Sequence, residues 1–477
     1  MALYNEIAAK LQQHIDTGVF PYGERLPGVR RLSQSLDVSI STVVQAQRLL
    51  EDSGVLIAKP RSGFYVAQRQ AQITKLPTSK VPKNNPLPVT TKDLMMHLGQ
   101  LSQQPEYVQM GFAIPHGDFL PLRAIQRSLS KAVRQYNHQL ANYAPPTGEP
   151  ELQRQISLRM QRAASNVEPE EILVTSGAQE ALTIALKSIA NPGDIIAIES
   201  PTYYGMLQVI ESLGMQAIEI ATDPVEGISC AALTMALNKW PIKACLLIPN
   251  SHNPLGFTLS DTKKKQLVAL AYRHDFLLIE DDIYGELNQT EGRERSLHSF
   301  DEQQQKVVYY SSFSKTISAG LRIGWLVLPA HLQIIGQQTK QILNLSSNTL
   351  AQAALCDYLA NGGYDKHLRQ VKVTYTQQIQ KFTRTVIQHF PAGTRISQPA
   401  GGYVLWIELA QNIDTLVLSQ RLFAFDISIA PGKLFSLSDH YNHCLRLNCA
   451  QPWSVQLEHS IALIGREIAL LAKQADI

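Results

Sequence analysis

The sequence predicts an α/β protein in which a small winged helix-turn-helix head precedes a large body with a mostly parallel sheet. Short helical stripes and two strand-like runs occupy residues 1–68, and apolar runs alternating with helical stretches follow from residue 107. Residues 1–92 hold twelve Lys and Arg against six Asp and Glu, whereas the whole chain of 477 residues holds 43 against 40. A basic head on a slightly acidic body favours nucleic acid as a partner.

The composition excludes several classes of protein. Apolar residues make up 44% and charged residues 17%, which is typical of folded chains and not of disordered ones. The first residues include Glu6 and no unbroken apolar core, so we expect no signal peptide, and no apolar run is long enough to predict a membrane span. Five scattered cysteines without a CxxC pair predict neither a disulfide framework nor a zinc site. We therefore expect a cytoplasmic protein with no metal and no membrane partner.

Residues 1–68 divide into three helices and a hairpin. The first helix has an apolar residue at every fourth position and ends at Gly18. A second, short helix follows, and Ser39 is a good N-cap for the third. Two strand-like runs, residues 55–58 and 63–66, then form a hairpin. Helix, helix-turn-helix and hairpin, in this order, predict a winged helix-turn-helix domain.

The rest of the chain divides into a linker and a body. Residues 69–92 contain four prolines, four lysines and no acid, which predicts a semi-extended, solvated linker whose lysines aid solubility in preference to contacting DNA. Residues 93–477 form the body, with a small α+β subdomain from about residue 331. Strand-like runs lie at residues 171–174, 194–198, 244–248, 276–279, 307–310 and 402–407. Most are separated by helical stretches, so we expect a largely parallel sheet covered on both faces.

The head carries side chains suited to DNA. Ser39, Ser41 and Thr42 begin the third helix, where hydroxyl groups can meet phosphate oxygens or base edges. The basic candidates for phosphate contact are Arg25, Arg30, Arg31 and Arg48, with Lys59 and Arg61 on the wing. Each arginine alone is more commonly a solvated surface charge, so the prediction depends on the ordered combination.

The head resembles the GntR-type winged-helix family over about residues 3–67. The matching motifs are Gly23-Glu24-Arg25-Leu26-Pro27, Arg30-Arg31-Leu32, Val38-Ser39, Thr42-Val43, Leu49-Leu50 and Gly54. Gly28 stands where the family usually has Ser, Ser41 where a basic residue is common, and Phe64 directly after Gly63 where a Gly-Ser-Gly-Thr tip is common. The resemblance implies a DNA-binding domain, and the departures bear on its base contacts and not on its fold.

Polar residues at two strand ends of the body suggest a shared site. The run Ser312-Phe313-Ser314-Lys315 follows a strand, and Arg322 comes seven residues after the lysine. A lysine preceded by hydroxyl groups therefore lies near an arginine that could bind a phosphate group. Asp281 ends another strand, and Tyr284 follows three residues later. A buried carboxylate there would favour a protonated ring nitrogen. A cap or a metal ligand is the alternative for the Asp281-Asp282 pair, but no histidine cluster supports a metal.

Three further turns offer the remaining groups of such a site. Asn253 precedes a proline and is held extended, so its amide can reach a ring oxygen. Gly177 joins a strand to a helix, whose free N–H groups bind anions, and Tyr203 offers a ring at a strand end. A lysine, an acid, an aromatic ring, polar donors and a phosphate cradle are together what pyridoxal 5′-phosphate requires. Each turn alone is weak support, and their combination predicts this cofactor.

In this order the motifs resemble the fold-type I aminotransferase family over about residues 110–470. The resemblance implies that Lys315 is the Schiff-base lysine and that Asp281 pairs with the pyridinium. It also implies Tyr203 as the stacking ring, Asn253 and Tyr284 at the phenolic oxygen, and Gly177, Ala178, Gln179, Ser312 and Arg322 at the phosphate. Ala178 stands where Ser or Thr is frequent, so its backbone N–H must serve there.

Two more segments match this family. Residues 142–148 resemble the segment whose tyrosine, here Tyr143, reaches the phosphate of the partner subunit. Residues 444–448 resemble the segment whose arginine, here Arg446, binds the substrate carboxylate, and a guanidinium matches a carboxylate with two parallel hydrogen bonds. On the residues alone, a paired structural arginine remains an alternative for Arg446.

A GntR-type head on an aminotransferase-like body resembles the MocR subfamily of bacterial transcription regulators. This resemblance implies a homodimer, pyridoxal phosphate in the body, and control of an operator in double-stranded DNA by an amine or amino-acid effector. A working aminotransferase with a DNA-binding appendage is the alternative, because its lysine, aspartate and carboxylate arginine are all present. The operator, the effector and the direction of regulation do not follow from the sequence.

Overall fold

The computed structural model describes two compact units. It describes residues 3–16, 19–20, 23–52, 55–59, 62–66, 75–82, 85–89, 107–135, 141–290, 292–410 and 412–475. One unit comprises Met1–Thr74 with Gln380–Ile387, and the other comprises Lys75–Ile379 with Gln388–Ile477. Among the described residues, no helix is both long and apolar enough to cross a membrane.

The head has the predicted winged helix-turn-helix fold. Its elements are α1 (Leu3–Asp16), α2 (Val29–Leu36), α3 (Ile40–Asp52) and an antiparallel hairpin of β1 (Leu56–Lys59) and β2 (Gly63–Val66). Ile7, Leu11 and Val43 are buried in its core, whereas Leu3 is 52% exposed, so the stripe of the first helix is buried only from its second turn. The Ser39 Oγ accepts a hydrogen bond of 3.1 Å from the Thr42 N–H, which is the predicted cap. The predicted helix end at Gly18 lies outside the described residues.

The body is built on a nine-stranded, mostly parallel sheet. Its strands are β3 (Leu87–Pro88), β5 (Ile172–Thr175), β6 (Ile195–Ser200), β7 (Gln216–Asp223), β8 (Gly227–Ile228), β9 (Ile242–Leu247), β10 (Leu277–Asp281), β11 (Val307–Ser312) and β12 (Gly324–Val327), and a short β4 (Val108–Gln109) lies outside it. The strand order is β3-β7-β6-β9-β10-β11-β12-β5, with β8 beside β7. The neighbours from β7 to β11 are parallel, and β12 is antiparallel to both β11 and β5. This arrangement confirms the predicted fold class.

Helices cover both faces of this sheet. They are α4 (Leu122–Gln135), α5 (Pro150–Arg162), α6 (Ala178–Ile189), α7 (Tyr204–Ser212), α8 (Cys230–Lys239), α9 (Asp261–His274), α10 (Gln333–Asn344) and α11 (Thr349–Ala360). An apolar core lies on each side of the sheet. Adjacent residues of a strand, such as Leu278 and Ile279, point to opposite faces and so belong to different cores. Parallel strands bring their carboxyl ends to one edge, so Asp281 and Ser312 lie at the same edge.

A second, antiparallel sheet lies in the C-terminal part. Its strands are β13 (Arg395–Ile396), β14 (Val404–Glu408), β16 (Ala430–Pro431) and β17 (Cys444–Asn448), in the order β13-β14-β17-β16, while β15 (Ile427–Ser428) pairs with β4. The accompanying helices are α12 (Gly363–His389), α13 (Thr415–Leu422) and α14 (Val455–Ala475). Helices α10 and α11, beyond the predicted boundary at residue 331, pack against α6 and against α4 and α5 of the large sheet. The antiparallel sheet itself begins only at Arg395.

The linker differs from its prediction. In its described part, residues 75–82 and 85–89, the chain is bound to the body instead of lying free in solvent. Thr78 donates from its N–H and its hydroxyl to the Glu408 carboxylate at 2.6 and 2.7 Å, and β3 pairs with β7. Val89 is buried. The proline and lysine content predicts an extended chain, but it cannot predict a contact with a carboxylate 330 residues away.

Candidate functional site

A cavity of about 350 Å³ opens at the carboxyl ends of β10 and β11. Nine residues predicted from the sequence line it: Ala178, Gln179, Tyr203, Asn253, Asp281, Tyr284, Ser312, Lys315 and Arg322. They come from separate strand ends and from the first turn of α6, so the sheet topology brings them together. Enclosed sites of this kind at strand ends are where α/β proteins bind small ligands.

The acid at the end of β10 points into this cavity. The Asp281 Oδ1 accepts a hydrogen bond from the Ile283 N–H at 3.0 Å, and its Oδ2 accepts one from the Tyr310 hydroxyl at 2.8 Å. Burial raises the pKa of Asp281 to about 7, against the lowering effect of these two donors. About half of its carboxyl groups are therefore ionised at neutral pH, and a protonated ring nitrogen beside them would favour the ionised form.

The neighbouring Asp282 lies on the other side of the strand. It accepts hydrogen bonds from the Asn250 amide at 3.0 Å and from the Tyr309 hydroxyl at 2.8 Å, and it pairs with Arg293. Each of its carboxylate oxygens thus has a protein donor, and it is not among the residues that line the cavity. Alternation along the chain separates the two acids.

Lys315 follows β11 and lies half-buried at the cavity. Its Nζ donates to the Ala113 carbonyl at 2.9 Å. Burial, together with the charges of Arg446 and Arg322, lowers the pKa of Lys315 to about 8. A substantial fraction of its amine is thus unprotonated at slightly alkaline pH, and the unprotonated amine is the nucleophile.

The Lys315 loop is held by the first turns of α12. The Tyr364 hydroxyl donates to the Thr316 Oγ1 at 2.8 Å, and the His367 Nε2 lies 2.7 Å from the Thr316 carbonyl. Both partners lie about fifty residues further along the chain, so local sequence patterns did not reveal them. They fix the backbone next to the lysine.

The opposite end of the cavity suits a phosphate group. Gly177 (φ +87°) directly precedes α6, and a Cβ added to it would lie 2.5 Å from the Arg322 Nη2. Arg322 is itself left-handed (φ 54°) and donates to the Ser176 carbonyl at 3.0 Å. The N–H groups of Ala178 and Gln179 belong to the first turn of the helix, where they have no intrahelical acceptor. Helix N-terminus and guanidinium together attract an anion.

Three side chains surround the middle of the cavity. The Tyr284 hydroxyl is buried and has no hydrogen-bond partner of good geometry among the described residues, which leaves it available to a ligand oxygen. The Asn253 Oδ1 accepts from Arg446 at 3.1 Å, so its amide N–H groups remain for a ligand. Tyr203 packs against Tyr204 with ring centroids 4.6 Å apart. These groups fit the phenolic oxygen and the ring face of pyridoxal phosphate.

Arg446 on β17 lies fully buried beside Asn253. Its Nη2 donates to the Gly111 carbonyl, its Nε has no partner of good geometry among the residues that the structure describes, and its guanidinium lies 5.1 Å from the Phe435 ring centroid. Within the part of the chain that the structure describes, no acidic side chain forms an ion pair with Arg446. A buried guanidinium with only neutral partners favours an anionic ligand over the alternative of a paired structural arginine.

Tyr143 does not line the cavity of its own chain. Its side chain is 80% exposed in the loop before α5. Its contact with the phosphate site of a partner subunit stays a prediction.

The sequence alone missed several residues that line the cavity. Tyr310 and Tyr204 lie on or after strands, and Phe112, Ala113 and Ile114 lie in the segment that follows β4. Tyr310 could have been found from the register, because it stands directly opposite Asp281 in the parallel pair of β10 and β11. Nothing in the local sequence marks residues 112–114, which reach the cavity through the tertiary fold.

The predicted DNA contacts of the head are mostly exposed. Arg25, Arg30, Arg31, Ser39, Ser41, Arg48 and Lys59 are exposed, Thr42 is partly buried, and Arg61 lies outside the described residues. The Lys59 ammonium lies over the Tyr65 ring at 4.2 Å, which orients this wing residue. Their exposure leaves these side chains available to phosphate groups, and the contacts themselves stay predictions.

Comparison with known proteins gives two family matches. Residues 3–66 match the family of bacterial regulatory proteins of the gntR type, and residues 109–464 match class I and II aminotransferases. Within the described residues, no group of three or more His, Cys, Asp or Glu side chains is arranged to hold a metal.

Similar proteins include both regulators and enzymes. The uncharacterized HTH-type transcriptional regulator YjiR of Escherichia coli is 36% identical over 98% of this chain and 99% of its own. Aromatic-amino-acid aminotransferase 1 of Thermococcus litoralis is 27% identical over 73% of this chain and 85% of its own. The crystal structure of a kynurenine aminotransferase of Pyrococcus horikoshii has a TM-score of 0.74 at 25% identity and covers 80% of this chain and 95% of that one.

Proposed function

Since the chain belongs to the MocR-type group of GntR regulators, in which a winged helix-turn-helix head precedes a class I and II aminotransferase body, we propose that it is a transcription regulator that senses an amino-group effector through bound pyridoxal 5′-phosphate. The observation that carries the proposal is one cavity that joins a half-buried lysine, a buried acid and an anion cradle, with the buried guanidinium of Arg446 bonded to its lining residue Asn253, in a chain whose head has exposed basic residues.

The cavity residues fit the cofactor part by part. Class I and II aminotransferases depend on pyridoxal phosphate, which when bound supplies an electron sink for bonds at an amino carbon. In the proposal Asp281 holds the ring nitrogen, Tyr284 and Asn253 hold the phenolic oxygen, and Arg322 with the N-terminus of α6 holds the phosphate. Lys315 holds the cofactor covalently. The buried Tyr284 hydroxyl supports this assignment, since the cofactor would give it a partner.

Arg446 indicates the chemical class of the effector. A carboxylate at Arg446 would pair with a buried guanidinium that has only neutral hydrogen-bond partners, and Asn253 would stay in contact with the same group. The amine of the same molecule would then lie toward the Lys315 Nζ. We therefore propose an α-amino acid, or a related amine with a carboxylate, as the effector.

DNA and a second copy of the chain are the proposed macromolecular partners. The GntR-type head implies DNA binding, and a two-fold dimer would present two heads to two half-sites. Tyr143 is the proposed contribution of each subunit to the phosphate site of its partner. Cofactor binding and dimer formation would then depend on each other.

A catalytically active aminotransferase is the second candidate. The lowered pKa of Lys315, together with Asp281 and Arg446, provides what amino transfer requires of the protein. To test the two candidates, the purified protein is given amino and keto acids and, separately, its own upstream DNA. The proposal expects sequence-specific retardation of that DNA. Turnover without specific retardation would favour the enzyme.

The docked linker offers a route from the effector to the head. We define the strap as residues 75–89, whose described part contacts both sheets of the body. Thr78 binds Glu408 on β14, which pairs with β17, the strand of Arg446, and β3 adds to the edge of the large sheet at β7. Any movement of β17 toward a ligand would therefore act on the strap, which follows the head in the sequence.

Thr78→Val tests this route. Burial raises the pKa of Glu408, but donors from His443 and Thr78 and the charge of Lys80 hold it at about 2, so the contact persists across the neutral range. The variant loses the hydroxyl bond to the Glu408 Oε1 but keeps the backbone N–H bond to its Oε2, and we expect the effector-induced change in DNA affinity to shrink while cofactor affinity stays unchanged. Lys433→Ala, which breaks an exposed ion pair with Asp439, is the control. Unaltered coupling in Thr78→Val would contradict the route.

A further inference from the structure

Two adjacent tyrosines on β11 donate to two adjacent aspartates at the carboxyl end of β10, where Asp281 is its last residue and Asp282 follows it. The Tyr310 hydroxyl lies 2.8 Å from the Asp281 Oδ2, and the Tyr309 hydroxyl lies 2.8 Å from the Asp282 Oδ2. Both rings are almost completely buried. Because successive residues of a strand point to opposite faces, only the first pair lies at the cavity, and the second belongs to the polar cluster of Arg293 behind it.

We propose that Tyr310 is a positioning residue that keeps the Asp281 carboxylate ionised and oriented toward the ring nitrogen of the cofactor. The proposal rests on the proposed binding of pyridoxal phosphate. Tyr310 lines the cavity with Asp281, and within the described part of the chain its hydroxyl and the Ile283 N–H are the two donors to this carboxylate.

The geometry fixes what each donor does. The Ile283 N–H binds one carboxylate oxygen from the backbone, and Tyr310 binds the other from the neighbouring strand, so the plane of the carboxyl group is held at two points. Asp281 and Tyr310 stand opposite each other in the strand register, which sets their distance through the sheet itself. A ligand nitrogen in the cavity would then meet a carboxylate whose orientation does not depend on the ligand.

The charges around Asp281 determine the effect of removing this donor. The groups that face it are Tyr310, Lys315, Asp282, Tyr203 and Tyr284. Burial is the largest influence on Asp281, and it keeps the pKa raised to about 7 although Tyr310 and the charge of Lys315 lower it. Without the hydroxyl, the pKa rises further. The ionised form, and the cofactor affinity that depends on it, exist above the pKa and are lost as the pH falls through it, so the variant loses affinity at a higher pH.

The experiment measures the affinity of the full-length apo protein for 4-deoxypyridoxine 5′-phosphate across pH 5.5–9. This probe keeps the ring nitrogen and the phosphate but has no aldehyde, so Lys315 cannot bond to it covalently. Its own ionisation is the same for every variant and cancels in the ratio to the unmodified protein. For Tyr310→Phe, which keeps the ring, we expect binding about tenfold weaker at pH 7 and a midpoint of affinity loss about one pH unit higher.

Two further variants separate this role from a structural one. Tyr309→Phe removes the same hydroxyl chemistry from Asp282 and should leave the midpoint unchanged. In an Asp281→Asn background, the additional change Tyr310→Phe should have no effect on affinity, because the carboxylate through which it acts is gone.

The possible outcomes are distinct. A midpoint for Tyr310→Phe equal to that of the unmodified protein, or a loss of affinity that persists in the Asp281→Asn background, would overturn the proposal while leaving the cofactor site intact. Failure of the unmodified protein to bind the probe at any pH would overturn the proposed cofactor site, and this inference with it.

Discussion

Lys315→Ala is expected to abolish the covalent capture of pyridoxal phosphate by the protein. The Lys315 Nζ is the amine at the cavity, and burial lowers its pKa to about 8, which favours the reactive, unprotonated form. Borohydride reduction followed by peptide mapping should find the cofactor on Lys315 in the unmodified protein. In the variant the visible absorbance of the bound cofactor and the labelled peptide should both disappear.

Lys340 provides a matched control for this experiment. Its pKa is also lowered by burial, but its Nζ donates to the Pro146 carbonyl at 2.6 Å and it does not line the cavity. Lys340→Ala should therefore retain full labelling of Lys315. A reducible lysine adduct that persists in Lys315→Ala would show that the wrong lysine has been assigned.

Asp281→Asn should mainly weaken cofactor binding, whereas Asp282→Asn should mainly lower folding stability. The first removes the negative charge at the cavity, and we expect cofactor affinity to fall by roughly 10- to 150-fold, the range for a hydrogen bond to a charged group. The second leaves the buried Arg293 without its carboxylate, which should cost about 3–5 kcal/mol of folding stability. Cofactor titration and thermal unfolding measure the two effects separately.

The contrast between the two variants also tests the strand register. If Asp282→Asn weakens cofactor binding and Asp281→Asn lowers only the melting temperature, the assignment of the two acids is off by one residue. Near-equal losses of both properties in both variants would contradict the separation of the two faces of β10.

Local patterns in the sequence predicted those parts of the fold that depend on short segments. Buried parallel strands such as residues 244–248 are apolar throughout, so they could be recognised without a structure. Strand β7 (Gln216–Asp223) was missed, because it includes Glu219 and Thr222 among its apolar residues. Glu219 is nevertheless buried, with hydrogen bonds from Ser200 and Ser436 that only the tertiary fold supplies.

The residues of the site also divide into those that a local motif predicts and those that only the tertiary fold brings together. Lys315 and Asp281 could be predicted because each lies in a short motif at a strand end. Tyr310 contacts Asp281 from the neighbouring strand, and Thr78 binds Glu408 from a distant part of the sequence. No local sequence pattern predicts either contact. The linker prediction was wrong in its contacts for this reason. The composition of the linker indicates a stiff, soluble backbone, but it does not indicate which surface of the body the linker contacts.

The central claim is that ligand in the body changes the affinity of the head for DNA. The most direct test titrates the upstream DNA of the protein, at one fixed salt concentration, with apo protein, with cofactor-loaded protein, and with cofactor-loaded protein treated with a panel of α-amino acids. Since binding coupling is reciprocal and typically about 1–3 kcal/mol, the account predicts curves displaced by roughly 5- to 150-fold between states. Identical curves in all three states would contradict the sensor function and leave the aminotransferase as the better account.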